Sequence, residues 1–290
     1  NFNGKLTARG TEIHLEGDKD EVARIEAVIT EMIVTVNQKG YVDTEDVSAL
    51  LNFSEADKTT VTRNGEDLPV ILYTHKGAVV ARTNGQKKYF EAVKNNDIVF
   101  AIGPAGTGKT YQAVASAVSA LKEGIVSKIV ITRPAVEAGE RLGFLPGDLK
   151  EKVDPYLTPL YDALGDMITP EKRQTYIDQR IIEIAPLAYM RGRTLHNSFM
   201  ILDEAQNATN TQMKMFLTRL GVTSRAIITG DITQIDLPQN EGSGLIDARN
   251  KLKSIKGIKF VEFDSSDVVR HKLVRQIIEA YANGVKKDRK

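Results

Sequence analysis

Six short, almost continuously apolar runs punctuate the chain after residue 97: IVFAI (98–102), KIVIT (128–132), RIIEIA (180–185), SFMILD (198–203), RAIITG (225–230) and IKFVEF (258–263). Runs without polar alternation belong to strands covered on both faces, as in a parallel sheet flanked by helices. Between the first two, residues 110–122 read as a helix whose Ala113, Ala115, Ala117 and Ala120 let it lie close against a sheet. The pattern predicts an open, mostly parallel α/β domain.

The beginning of the chain is patterned differently. A strand over 12–16 precedes a helix from about 18 to 36, in which Val22, Ile25, Ile29, Met32 and Ile33 share a face and Asp18 or Asp20 caps the start. A second short helix, DTEDVSALL over 43–51, has Asp43 in the capping position. The composition then turns polar over 52–68, which predicts a linker, with a hairpin after it at 71–80. The domain reading is a small α+β module over 1–56, a linker and hairpin over 57–84, and the α/β domain over 85–290. There is no internal repeat.

Composition narrows the class. The 290 residues are 41% apolar and 27% charged, ordinary for a globular protein, and no stretch approaches the roughly 18 apolar residues of a membrane span. With no cysteine, disulfides and thiolate metal sites are excluded, which suits the cytosol. His14, His75, His196 and His271 are scattered without metal-ligand spacing, so no zinc site is expected. The net charge of +1 hides basic clusters at 150–152, at Arg191 and Arg193, over 249–256 and in the closing KKDRK. Each is a solvated face unless a motif accompanies it. The sequence begins at Asn1 rather than Met, leaving room for residues removed upstream.

The chemistry concentrates in GPAGTGKT, residues 103–110, directly after one strand run and before a helix. This is G-x-x-x-x-G-K-T in the context that the motif requires. Gly103, Pro104, Ala105, Gly106, Thr107 and Gly108 form a loop whose N–H groups point inward at a helix N-terminus, an anion nest. Lys109 reaches the β- and γ-phosphates, and Thr110 places its hydroxyl on Mg²⁺. A phosphate loop needs a metal-ordering acid on a neighbouring strand, and FMILDEAQ supplies Asp203, followed by Glu204. The second carboxylate can polarise an attacking water, which suits hydrolysis rather than phosphoryl transfer to an acceptor. The alternative is that the two acids cap the helix starting near Thr209. TGDITQ (229–234) ends the next strand run; its Gln234 can bond the water and the γ-phosphate, or the segment is a plain turn and cap. Gln86, upstream in NGQKKYFEAV, can read an adenine edge through its amide donor and acceptor.

Together GPAGTGKT, MILDEAQ, TGDITQ and Gln86 resemble the motor core of superfamily 1 helicases. The joining segments, ITRPAVEAGERLGFLPGDLKEKVDPYLTPLYDAL (131–164), APLAYMRGRTLHNSFMILDEAQNAT (185–209) and DVVRHKLVRQII (267–278), resemble the PhoH family of phosphate-loop ATPases over about residues 84–280. That resemblance implies a RecA-like phosphate-loop NTPase fold, ATP binding by residues 103–110, a cytoplasmic location and ATP-dependent RNA unwinding or remodelling. It also implies a homo-oligomeric, ring-like assembly, with a hexamer as the candidate ring. Arg133 and Arg141 in the first segment, and Arg191, Arg193 and His196 in the second, are then candidate contacts to an RNA backbone, which give affinity without sequence preference. Otherwise the arginines pair with local acids such as Glu137 and Glu140.

Arg270 is the candidate arginine finger, stabilising charge on the γ-phosphate across a subunit boundary, or else a helix-surface arginine paired with Asp264 or Asp267. Superfamily 1 helicases carry two motor domains in one chain, whereas only about 60 residues follow Asp231 here. The first module is similar in element order to a KH-like region but lacks the G-x-x-G loop that clamps a nucleic-acid backbone. It binds RNA or docks a protein. The second functional reading is therefore a nucleotide-gated binding module that docks a partner such as a ribonuclease and never unwinds.

Overall fold

The computed structural model describes residues 4–10, 12–39, 41–42, 47, 60–63, 66–134, 149–238 and 240–269. Its centre is a six-stranded, all-parallel sheet of β6 (Ile98–Ile102), β7 (Lys128–Arg133), β8 (Ile182–Pro186), β9 (Ser198–Leu202), β10 (Arg225–Gly230) and β11 (Ile258–Glu262). The spatial order is β11-β6-β10-β9-β7-β8, and every pairing is parallel. Each strand coincides, within two residues at either end, with an apolar run. The expected α/β class is the observed one.

The lack of polar alternation has a direct cause. Val99, Ala101, Ile129, Ile131, Ile201 and Ile227 point to one face of the sheet and pack in one cluster. Their neighbours Phe100, Ile102, Val130, Met200, Leu202 and Ile228 point to the other face, into a second cluster. Successive side chains of a strand face opposite ways, so two buried faces demand an unbroken apolar run. Burying each such Val, Ile or Leu side chain stabilises the fold by about 1.5–3 kcal/mol. The helix Lys109–Lys122 lies on the first face, and its Ala113, Ala115 and Ala117 are wholly buried there.

The topology locates the site. β6 carries the phosphate loop and β9 carries Asp203, yet the two strands are not neighbours, because β10 runs between them. The loop, Asp203 and the Thr229–Gly230–Asp231 turn therefore meet at the carboxyl ends of three adjacent strands, where open α/β sheets hold ligands.

Towards the N-terminus, β1 (Lys5–Arg9) pairs antiparallel with β2 (Glu12–Glu16), followed by α1 (Lys19–Lys39), which buries Ile25 and Val28. The expected strand and helix are present. β1 is not legible in the sequence: Leu6 and Ala8 of KLTAR share one side but stay exposed, so the strand gains order through pairing with β2 rather than burial. Apart from Val47, the helix expected over 43–51 lies outside the described residues.

The expected linker needs correcting. Within it lie β3 (Thr60–Arg63) and the start of β4 (Glu66–Thr74), and β4 pairs on its other side with β5 (Gly77–Val80). The hairpin is real but belongs to a three-stranded sheet. TVTR is β-branched and largely polar, so hydrophobicity carries no signal for it. The hairpin's Ile71 and Leu72 pack into the core of the large domain. No helix among the described residues is long and apolar enough to cross a membrane.

Candidate nucleotide site

The phosphate loop leaves β6 at Gly103 and enters the helix Lys109–Lys122 after Gly108. Gly103 has φ +154°, and a Cβ there would stand 2.5 Å from the Phe263 carbonyl oxygen, so no other residue fits without moving backbone. Gly108 has φ +81°. Lys109 is buried and its ammonium donates to the Gly103 and Pro104 carbonyls at 2.7 and 2.8 Å. The lysine thus folds back across its own loop, and a phosphate that outcompetes those carbonyls receives the charge.

Across the cleft Asp203 is buried, and its Oδ1 accepts from the Thr110 hydroxyl at 2.6 Å and from the Thr229 hydroxyl at 2.7 Å. Hydroxyl and carboxylate oxygens side by side form a hard donor set that fits Mg²⁺, which takes one or two protein oxygens and fills its octahedron with water and phosphate. Among the described residues no group of three or more His, Cys, Asp or Glu is placed to hold a metal ion.

Glu204 has φ +52°, a left-handed conformation that costs a non-glycine residue about 1–3 kcal/mol. Its Oε2 accepts from the Gln206 amide at 2.6 Å, and its Oε1 lies 3.8 Å from the Arg133 guanidinium. The helix after it, Asn210–Leu217, is capped by Thr209 in a capping box with Gln212, so neither acid is spent as its cap. Gln206 is buried and also accepts the Asp231 N–H at 3.0 Å, which ties Glu204 to the third strand end. In the sequence this glutamine is an ordinary polar residue of MILDEAQ.

Asp231 accepts from Thr233 and, at 2.6 Å, from the Gln234 amide. Burial raises its pKa, but those hydrogen bonds and the Lys109 charge outweigh it, so its carboxyl titrates below the ordinary range. A cavity of about 270 Å³ opens among Gly106, Lys109, Thr110, Asp203, Glu204 and Gln234. The residues read from the loop, the acid pair and TGDITQ thus converge on one space.

Gln86 does not fill its expected place. It is the third residue of the helix Asn84–Asn95 and closes a capping box with Thr83. Its Oε1 accepts from the Arg82 and Thr83 N–H groups at 2.8 and 3.4 Å, and its Nε2 donates to the Thr107 carbonyl at 2.9 Å. Both lone pairs of its oxygen are occupied, leaving no acceptor for an adenine amine.

Arg193 is corrected as well. Its guanidinium grips Glu183 with two bonds of 2.6 and 2.8 Å, and Lys128 adds a third cation contact at 2.8 Å. Arg193 chiefly, and Lys128, hold the Glu183 carboxyl at about 2 although burial opposes them. His196 accepts the Val222 N–H at 3.1 Å through Nδ1. Arg191 is exposed, without an ion pair among the described residues. Arg141 and Arg270 lie outside the described residues; Val269, just before Arg270, donates its N–H to the Gly106 carbonyl at 2.9 Å.

A glycine loop at a helix N-terminus, facing an Asp-Glu pair across a parallel sheet, defines a phosphate-loop NTPase. The chain matches the PhoH-like protein family over residues 78–282 and belongs to that family. It is 49% identical over 280 residues to the PhoH-like protein of Bacillus subtilis (strain 168), covering 97% of this chain and 88% of that protein. The PhoH-like protein of Mycobacterium tuberculosis (strain ATCC 25618 / H37Rv) is 50% identical over 284 residues, with 97% and 80% covered. Among solved structures, the UvsW helicase of bacteriophage T4 aligns with a TM-score of 0.39 at 12% identity, over 82% of this chain and 78% of that one.

Proposed function

We propose that this chain is a Mg²⁺-dependent ATPase that couples hydrolysis to RNA unwinding or RNA–protein remodelling in the cytoplasm. The observation that carries the hydrolytic part is the cleft in which Thr110, Asp203 and Glu204 face the phosphate loop, with Thr110 and Asp203 already 2.6 Å apart. Thr110 and Asp203 would hold Mg²⁺, which when bound neutralises charge on the β- and γ-phosphate oxygens. Lys109 leaves its two carbonyls to neutralise the γ-phosphate. Glu204 takes the proton of the attacking water, and Gln234 orients that water. The RNA part follows the family resemblance of the sequence motifs and uses Arg133, which stands beside Glu204 at the end of β7. A phosphate of the RNA backbone drawing Arg133 away would free Glu204 for the water, linking RNA contact to turnover.

Arg270 is proposed as an arginine finger donated within a homo-oligomeric ring, a hexamer in the family reading. The module over 1–56 is proposed as a docking element for RNA or protein. Turnover of ATP measured alone and with single-stranded RNA, duplex RNA and DNA tests the reading, which expects stimulation by RNA. The commitment of Arg193 to Glu183 removes one RNA handle and favours the alternative, a nucleotide-gated module that docks a protein partner such as a ribonuclease without unwinding. No stimulation by any RNA, with partner binding that depends on ATP, is the result of that alternative.

A further inference from the structure

A cavity of about 510 Å³ lies away from the nucleotide cleft, at the far end of the same elements. Lys122, on its wall, closes the helix that Lys109 begins, about 20 Å away along the helix axis. Arg225, also on its wall, opens β10, whose last residue Gly230 accepts the Gly103 N–H of the phosphate loop. The cavity therefore sits at the amino edge of the sheet, against β4, and a ligand there cannot touch the phosphate loop. Its volume falls within the range of about 300–1,000 Å³ that small-molecule sites occupy.

The lining has two characters. Phe90, Val93 and Phe199 are buried and give it apolar walls, while Ile125 is 45% exposed among the lining residues. The charged side chains are Lys94, Lys122 and Arg225 against a single acid, Glu123, which already accepts from the Ser119 hydroxyl at 2.7 Å. The Lys94 ammonium stands 4.4 Å from the centre of the Phe90 ring, and Arg225 is half-buried. Neither makes a hydrogen bond or ion pair among the described residues. Lys122 donates to the Tyr73 carbonyl at 3.0 Å, and its pKa is lowered to about 8 by burial and then by the neighbouring Lys172. Partly desolvated like charges gain from an anion placed among them. The apolar walls gain from a chain that covers them. A bare phosphate would leave the walls wet, and a neutral lipid would leave the cations unmatched.

We propose that this cavity is a second ligand site, for a small molecule with an apolar chain and one anionic head group, the head lying among Lys94, Lys122 and Arg225. Octanoate and its neutral counterpart 1-octanol, titrated by calorimetry into the whole chain with and without saturating ATP and Mg²⁺, provide the test. Octanoate is expected to bind at least about 10-fold more tightly than 1-octanol, the worth of a charge-assisted hydrogen bond, and ATP should leave its affinity unchanged. Arg225→Gln and Lys94→Gln should each bring octanoate towards 1-octanol, and Ile125→Asp, which adds a like charge beside the head group, should weaken it as well. Thermal midpoints equal to that of wild type show that these variants are folded. Equal binding of octanoate and 1-octanol, or no binding of octanoate at millimolar concentration, overturns the proposal. Displacement of octanoate by ATP also overturns it, because the head group then lies in the phosphate loop. So do variants that bind octanoate as wild type does. Ile125→Asp that loses self-association in sedimentation while octanoate binding is unchanged assigns this surface to a second copy of the chain and overturns the proposal too.

Discussion

The guanidinium of Arg133 stands 3.8 Å from the carboxylate of Glu204, 71 residues further along the chain. Arg133 ends β7, and β7 lies directly beside β9, from which Glu204 emerges, so the sheet itself brings the two together. Their side chains are 24% and 39% exposed, which leaves the pair open to competition from an incoming phosphate.

If RNA acts by drawing Arg133 off Glu204, Arg133→Ala uncouples the two events. The variant is expected to lose stimulation by RNA while its turnover without RNA stays at or above the wild-type value. A variant that RNA still stimulates as strongly as wild type would take Arg133 out of the coupling.

Gln86 joins the start of its helix to the phosphate loop through Thr107, and both ends are buried. Gln86→Leu removes one half of a capping box and leaves the Thr107 carbonyl without its donor. The expected loss is about 2 kcal/mol in denaturant unfolding. Affinity for ATP and inosine triphosphate should weaken together, because the brace supports the loop and not the base. A fall confined to ATP would return base reading to Gln86.

Glu183 gives the fold an acid-sensitive joint. Its pKa is lowered from 4.5 to about 2, chiefly by the bonds from Arg193 and against the opposing effect of burial. A carboxyl whose folded value lies below its unfolded value stabilises above the unfolded value and loses that contribution as pH falls towards the folded one. The stability gap between wild type and Glu183→Gln, about 1 kcal/mol for so partly exposed a pair, is therefore expected at pH 6 and should shrink between pH 4.5 and 3 in urea titrations. A gap independent of pH would assign it to packing. Arg193→Ala should lose similar stability and leave RNA affinity as it was.

What was legible in the chain follows from how local the physics is. The phosphate loop and its strand are contiguous, so GPAGTGKT carries its own context. The four inner strands are legible because two buried faces leave an unbroken apolar run, and the edge strands β8 and β11 because their runs are interrupted only by Glu183 and by Lys259 and Glu262. β1 and β3 are not, since KLTAR and TVTR are ordered by partners rather than by burial. Arg193 reads as a basic loop residue until the β8 strand places Glu183 beneath it. Gln86 lies beside the loop, but its three backbone partners, Arg82, Thr83 and, in the loop, Thr107, decide what its amide does.

The hydrolytic claim rests on Glu204, and single-turnover hydrolysis by Glu204→Gln measures it most directly. Asp203, Thr110 and Lys109 are untouched by that change, so ATP and Mg²⁺ should bind as before, checked by calorimetry on the same protein. The rate of hydrolysis is expected to fall by at least about 100-fold, the contribution of a general base. Hydrolysis at the wild-type rate with ATP bound normally would contradict the account and remove Glu204 from the mechanism.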